Sequence, residues 1–109
     1  MLDNISLKFT PWERWENRNS LENMKFPGVY AIVKCDNDIA GRAFSWREEI
    51  VYFGMTNSQG GLKSRLKQFD NTLQNKPGHG GAQRVKVKYT DYEKLSPCLF
   101  VSIFPIECN

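Results

Sequence analysis

The stretch Ile50-Val51-Tyr52-Phe53-Gly54-Met55-Thr56-Asn57-Ser58-Gln59-Gly60-Gly61-Leu62-Lys63-Ser64-Arg65-Leu66-Lys67-Gln68-Phe69 constrains the fold more than any other part of the chain. Ile50 to Phe53 are β-branched and aromatic residues that suit a strand. Gly54 to Gly61 is dense in turn residues, and Leu62 opens an apolar pattern of helical period. On that helix Leu62, Leu66, Phe69 and Leu73 share one stripe. At about 100° per residue Arg65 falls at the edge of the stripe, about 70° from its centre, so it is half buried and aimed. Upstream, Pro27-Gly28-Val29-Tyr30-Ala31-Ile32-Val33 supplies a second strand, whose Tyr30 can face the same rim as Tyr52 and Arg65.

The remaining segments are read around that core. Thr10-Pro11-Trp12-Glu13 has the form of a capping box with proline at the first helical position, which predicts a helical lead-in over residues 1–26. Trp12 and Trp15, three apart, would then share a helix face. Val29 to Lys34 and Trp46 to Phe53 predict an antiparallel hairpin with a long charged connection, and Asp36-Asn37-Asp38 and Gly41 are its turn residues. That acidic turn lacks the full calcium-loop pattern. Residues 75–81 form a glycine-rich loop. Gln83 to Tyr89 fits strand alternation and helical spacing alike. Leu99 to Phe104 is a continuous apolar run stopped by Pro105, as a third strand buried on both faces would be.

A chain of 109 residues makes one domain with a modest core. No apolar run reaches membrane-spanning length, and the N-terminus lacks a basic region followed by an apolar one, so a cytoplasmic protein is expected. Cys35, Cys98 and Cys108 with the lone His79 imply neither a disulfide framework nor a zinc site, and the cysteines read as small hydrophobes in a reducing compartment. The net charge is only +3, but its distribution is uneven. Lys63, Arg65, Lys67, Lys76, Arg84, Lys86 and Lys88 stand against the single acid Asp70, whereas the rest of the chain is acidic on balance. Such a region is either a phosphate-binding footprint or a solvated basic face.

Gly28-Val29-Tyr30, a gap of 21 residues, Tyr52-Phe53-Gly54, and then a helical Arg65 resemble the two short motifs and the arginine of the GIY-YIG nuclease domain. The resemblance spans roughly Pro27 to Phe104, and assigns residues 27–109 to that domain. It implies an α+β fold with a small three-stranded antiparallel sheet flanked by helices. It also implies endonuclease activity on DNA with one divalent metal ion, Mg2+ or Mn2+, and it favours a helix for residues 82–89.

By the same resemblance Tyr30 is the general base or activator of the attacking water, Tyr52 positions that water, and Arg65 holds the scissile phosphate. A phenol with pKa near 10 needs a neighbouring cation to serve as a base. His79 resembles a basic position of some members, and Lys63, Lys67, Lys76, Arg84, Lys86 and Lys88 are the expected DNA contacts. Two positions depart from the pattern. Many relatives carry His or Tyr one turn after the arginine, where this chain has Phe69. The family's metal-binding glutamate lies on a helix after the third strand, and the nearest carboxylates here are Glu93 and Glu107, neither in a matching place. The 109-residue chain is therefore expected to fold but to cleave DNA poorly, the alternative being a non-catalytic DNA-binding module.

Overall fold

The computed structural model describes residues 8–57, 59–74 and 92–106. Four strands run through it: β1 (Glu13–Arg14), β2 (Gly28–Lys34), β3 (Ile50–Thr56) and β4 (Leu99–Pro105). They form one antiparallel sheet in the order β1-β4-β2-β3. One helix, α1 (Gly61–Leu73), is joined by a single helical turn at Tyr92–Leu95 and by 3-10 turns at Trp15–Ser20 and Ser96–Cys98. The class is α+β, as expected, but the sheet has four strands rather than three.

The additional strand comes from the segment read as a helical lead-in. Thr10 uses its groups on β4 instead of capping a helix. Its N–H donates to the Ile103 carbonyl at 2.8 Å, and its Oγ1 accepts from the Ile103 N–H at 3.0 Å. Glu13 and Arg14 then pair with Val101 and Phe100. Three residues apart on an extended chain means opposite faces, so Trp12 and Trp15 are both buried but in different clusters, which corrects the shared helix face. Tertiary pairing overrode a local capping signal. Helical geometry begins only at Trp15, and as a 3-10 turn.

Alternation along the two central strands builds both clusters. Tyr30 and Ile32 of β2 with Leu99, Val101 and Ile103 of β4 face α1, while Ala31, Val33 and Phe100 face the other way, onto Phe9, Trp12, Ile39 and Phe44. Each has a strand on both sides and side chains buried on both faces, which is why Leu99 to Phe104 reads as an unbroken apolar run. On α1 the stripe Leu62, Leu66, Phe69 and Leu73 is fully packed against the sheet. Each such side chain contributes about 1.5–3 kcal/mol by burial.

The hairpin is present, but its second strand starts at Ile50 rather than Trp46. Ile50 N–H closes a turn onto the Arg47 carbonyl at 3.3 Å, and the register shifts between Ile32 and Val33. That strand also runs three residues past Phe53, through Gly54, which the sequence placed in the turn. In the connection, Asp38 caps the Ala40 N–H at 3.0 Å and pairs with Arg14, so the acidic turn serves the fold. None of the described helices is long and apolar enough to cross a membrane.

Candidate functional site

Tyr30 and Tyr52 lie on the sheet face that α1 covers. In the β2–β3 register Tyr30 is opposite Gly54 and Tyr52 is opposite Ile32, so the tyrosines are diagonal neighbours. Their ring centroids are 5.9 Å apart and the two phenols are hydrogen-bonded. The space for this is Gly54. A Cβ there would sit 2.7 Å from Tyr52 Cε2 and 2.8 Å from both Cζ and the hydroxyl of Tyr30. Only a residue without a side chain lets both rings lie over the strand at that point. Gly54→Ala is expected to cost about 1–3 kcal/mol by overpacking, read as a lower urea midpoint with unchanged slope. A loss below about 0.5 kcal/mol, the scale of an ordinary surface change, would show that the rings move aside freely.

Arg65 completes the group from α1. It is half-buried, as its place at the stripe edge predicts, and its guanidinium acts on Tyr30. Burial pushes the Tyr30 phenol well above its ordinary value, Tyr52 adds to that, and Arg65 pulls against both. Burial wins, so Tyr30 is neutral throughout the neutral range and serves as a hydrogen-bonding phenol there. Because the folded value is raised above that of the unfolded chain, this group's contribution to stability is complete below pH of about 10 and declines as the pH rises beyond it. Urea midpoints should therefore fall above that pH, and Tyr30→Phe should make the fall shallower. An identical alkaline profile in both proteins would contradict the burial argument.

The helix start is used by the fold. Gly61 has φ +65°, and a Cβ there would lie 2.3 Å from the Lys25 carbonyl oxygen. The next two amides, Leu62 and Lys63, donate to Phe26 and Met24 carbonyls at 2.9 and 2.8 Å. These amides are spoken for, so an anion at this rim would be held by the Arg65 side chain rather than by a free helix terminus. Lys63 and Lys67, one turn apart, are both exposed on α1. His79, Lys76, Arg84, Lys86, Lys88 and Glu107, like the helix assigned to residues 82–89, lie outside the described residues. Glu93 is exposed on the Tyr92–Leu95 turn. Phe69, where many GIY-YIG domains have His or Tyr, is a core residue whose ring is 5.4 Å from Tyr52 and 5.7 Å from Trp15. Among the described residues no cluster of three or more His, Cys, Asp or Glu is placed to hold a metal ion.

One residue of consequence went unnoticed as such in the sequence. Asp70, the single acid in the basic stretch, is buried and accepts from Trp15 Nε1 at 2.7 Å, the Tyr92 hydroxyl at 2.7 Å and Gln74 Nε2 at 2.6 Å. Arg18 Nη2 lies 3.2 Å from Oδ2, the oxygen that Gln74 also reaches, while Trp15 and Tyr92 share Oδ1. It ties α1 to the Trp15–Ser20 and Tyr92–Leu95 turns and so fixes the helix that carries Arg65. The signal was available: position 70 is four after Leu66 and three before Leu73, which puts the acid on the buried side of the helix.

Comparison of the chain with protein-family models, with curated proteins and with solved structures returned no match.

Proposed function

We propose that this domain is a phosphodiester hydrolase acting on DNA, on the GIY-YIG plan that its two short motifs resemble. The observation that carries the reading is the pair Tyr30 and Tyr52 packed over Gly54 with the Arg65 guanidinium of α1 acting on Tyr30, two phenols and one guanidinium from three elements of the fold. Arg65 supplies a planar fork suited to two phosphate oxygens, and it offsets the charge that grows on them in an in-line attack. Tyr52, half-buried at the rim and bonded to Tyr30, orients the attacking water. As the water oxygen bonds to phosphorus and the bond to the leaving oxygen breaks, the water proton passes to the small fraction of Tyr30 that is ionised to phenolate, a fraction that burial lowers and Arg65 raises. Cleavage should consequently accelerate with pH through the neutral range and keep rising toward alkaline pH.

The divalent ion implied by the resemblance finds no built site among the described residues. A hard cation wants carboxylate oxygens, and the phenol of Tyr30 is held neutral by burial. No step above is routed through such an ion.

The full burial of Tyr30 favours a second reading, a DNA-binding module on the same fold that does not cleave. Both readings require salt-sensitive DNA binding through the basic stretch from Lys63 to Lys88. The logarithm of affinity should fall with that of salt concentration by about 0.9 for each phosphate neutralised, and a flat salt response would reject DNA as the partner. Nicking of supercoiled plasmid separates the two, run with Mg2+, with Mn2+ and with chelator. The hydrolase reading expects slow nicking that Tyr30→Phe abolishes. Bound but intact plasmid under all conditions would establish the module instead.

A further inference from the structure

Away from the tyrosines, two cysteines are backbone neighbours at one end of the central strands. β2 and β4 pair through Lys34 and Leu99. One residue further along each, Cys35 and Cys98 remain opposed, with the Cys35 N–H donating to the Cys98 carbonyl at 2.8 Å. Cys98 closes the Ser96–Cys98 turn rather than continuing β4, but its one backbone bond to Cys35 keeps the two near the spacing of ladder partners, whose Cα atoms are about 4.5–5.5 Å apart. That lies inside the roughly 4.4–6.8 Å range a disulfide bridges. Both are free thiols, and their access differs, Cys35 being buried and Cys98 partly exposed.

Cys35 also has a proton acceptor in place. Its Sγ donates to Glu49 Oε2 at 3.6 Å. Arg47 grips that carboxylate with both arms, Nε to Oε1 and Nη2 to Oε2, each at 3.1 Å. Those bonds hold the Glu49 carboxyl below its usual range, so it is ionised at neutral pH, and it is open to bulk water. A more accessible thiol and a buried one beside it, the latter donating to a carboxylate, give a cysteine open to oxidant and a second placed to condense with its sulfenic acid.

We propose that Cys35 and Cys98 form a reversible disulfide in response to hydroperoxide, with Cys98 oxidised first and Cys35 resolving it, its proton passing to Glu49. In the first step the Cys98 sulfur attacks the peroxide O–O bond. An S–OH forms, the O–O bond breaks, and the leaving oxygen departs as water with the thiol proton. In the second, Glu49 takes the Cys35 proton and the Cys35 sulfur attacks the sulfenic sulfur. The S–S bond forms, the S–O bond breaks, and hydroxide leaves, taking up a proton to become water. Two thiols lose two electrons and one peroxide becomes two waters. The bond would staple the end of β2 to the Ser96–Cys98 turn, closing a loop that contains β3 and α1.

The test uses the full chain carrying Cys108→Ser, which removes the third thiol. After hydrogen peroxide, alkylation and non-reducing peptide mapping should find Cys35 and Cys98 in one linked, monomeric, dithiothreitol-reversible pair. Dimedone present during oxidation should trap Cys98 and leave Cys35 unlabelled. Glu49→Gln should slow closure at least about 10-fold, the loss of a proton acceptor, without changing dimedone trapping of Cys98. Oxidation of Cys98 to sulfinic acid beside an intact Cys35 thiol would overturn the proposal, and so would Cys35 reacting first or a cross-link between chains. Closure of Glu49→Gln at the parent rate would overturn the part given to Glu49.

Discussion

Asp70→Ala is expected to destabilise this domain by about 3–5 kcal/mol, the usual loss when one partner of a buried ion pair is removed. Four donors from three segments converge on that carboxylate: the Trp15 indole, the Tyr92 hydroxyl, the Gln74 amide and the Arg18 guanidinium. Arg18 has little freedom to turn outward. Its side chain is only 16 % exposed, and its guanidinium lies 4.7 Å from the centre of the Trp15 ring while donating to the Trp15 carbonyl at 3.0 Å. Truncation would leave a desolvated cation, an indole N–H and a phenol without their acceptor. A loss of that size approaches the whole stability of many small domains, so a sizeable unfolded population is expected at room temperature. Asp70→Asn keeps the volume but carries no charge and brings two donors of its own into a ring of donors, so it should fall between parent and alanine. Urea unfolding of the three proteins measures the order. A loss under about 1 kcal/mol for the alanine variant, a value typical of exposed pairs, would mean that water replaces the carboxylate.

If the proposed hydrolase reading holds, Arg65→Ala should instead leave the fold standing and remove most of the cleavage. The side chain lies at the edge of the apolar stripe, and alanine is the best helix former, so little stability is at stake. One cation among the seven between Lys63 and Lys88 adds little to total affinity. Among the described cations of that stretch it is, however, the one that acts on Tyr30, opposing the rise in that phenol's pKa caused by burial and Tyr52. Loss of a preorganised charge donor costs on the order of 100- to 1000-fold in rate. Arg65→Lys restores charge without the planar fork, so it should recover affinity fully and rate only in part. The pH dependence carries a second signature: without the guanidinium, the rise in rate should move further into the alkaline range. If rate and affinity fell together, Arg65 would be one more electrostatic contact.

Much of the fold was legible because its signals are short-range and mutually consistent. The Leu62, Leu66, Phe69, Leu73 stripe, the apolar run of β4 and the β2–β3 hairpin each follow from period and composition, and the placement of Arg65 follows from the stripe. Thr10 to Arg14 misled because a capping box is local, whereas the hydrogen bonds to Ile103 that claimed Thr10 come from a strand about ninety residues away in sequence. Gly54 reads as turn in the sequence because glycine usually is, and its actual role, room for two rings, depends on a cross-strand register that no single segment reports. The burial of Tyr30 was equally invisible, since alternation gives the face of a strand residue but not what lies over it. It matters for function, because it turns a candidate base into a neutral phenol.

Single-turnover cleavage of a labelled DNA duplex, with protein in excess and the duplex fully bound, tests the assignment of hydrolysis to the Tyr30, Tyr52 and Arg65 group most directly. Saturation removes affinity from the comparison and leaves the chemical step alone. In Mg2+ or Mn2+ the parent chain should cleave slowly, at a rate that climbs with pH, and Tyr30→Phe and Arg65→Ala should each be slower by about 100-fold or more. A fully bound duplex left intact by the parent, or cut by both variants at the parent's rate, would contradict the account.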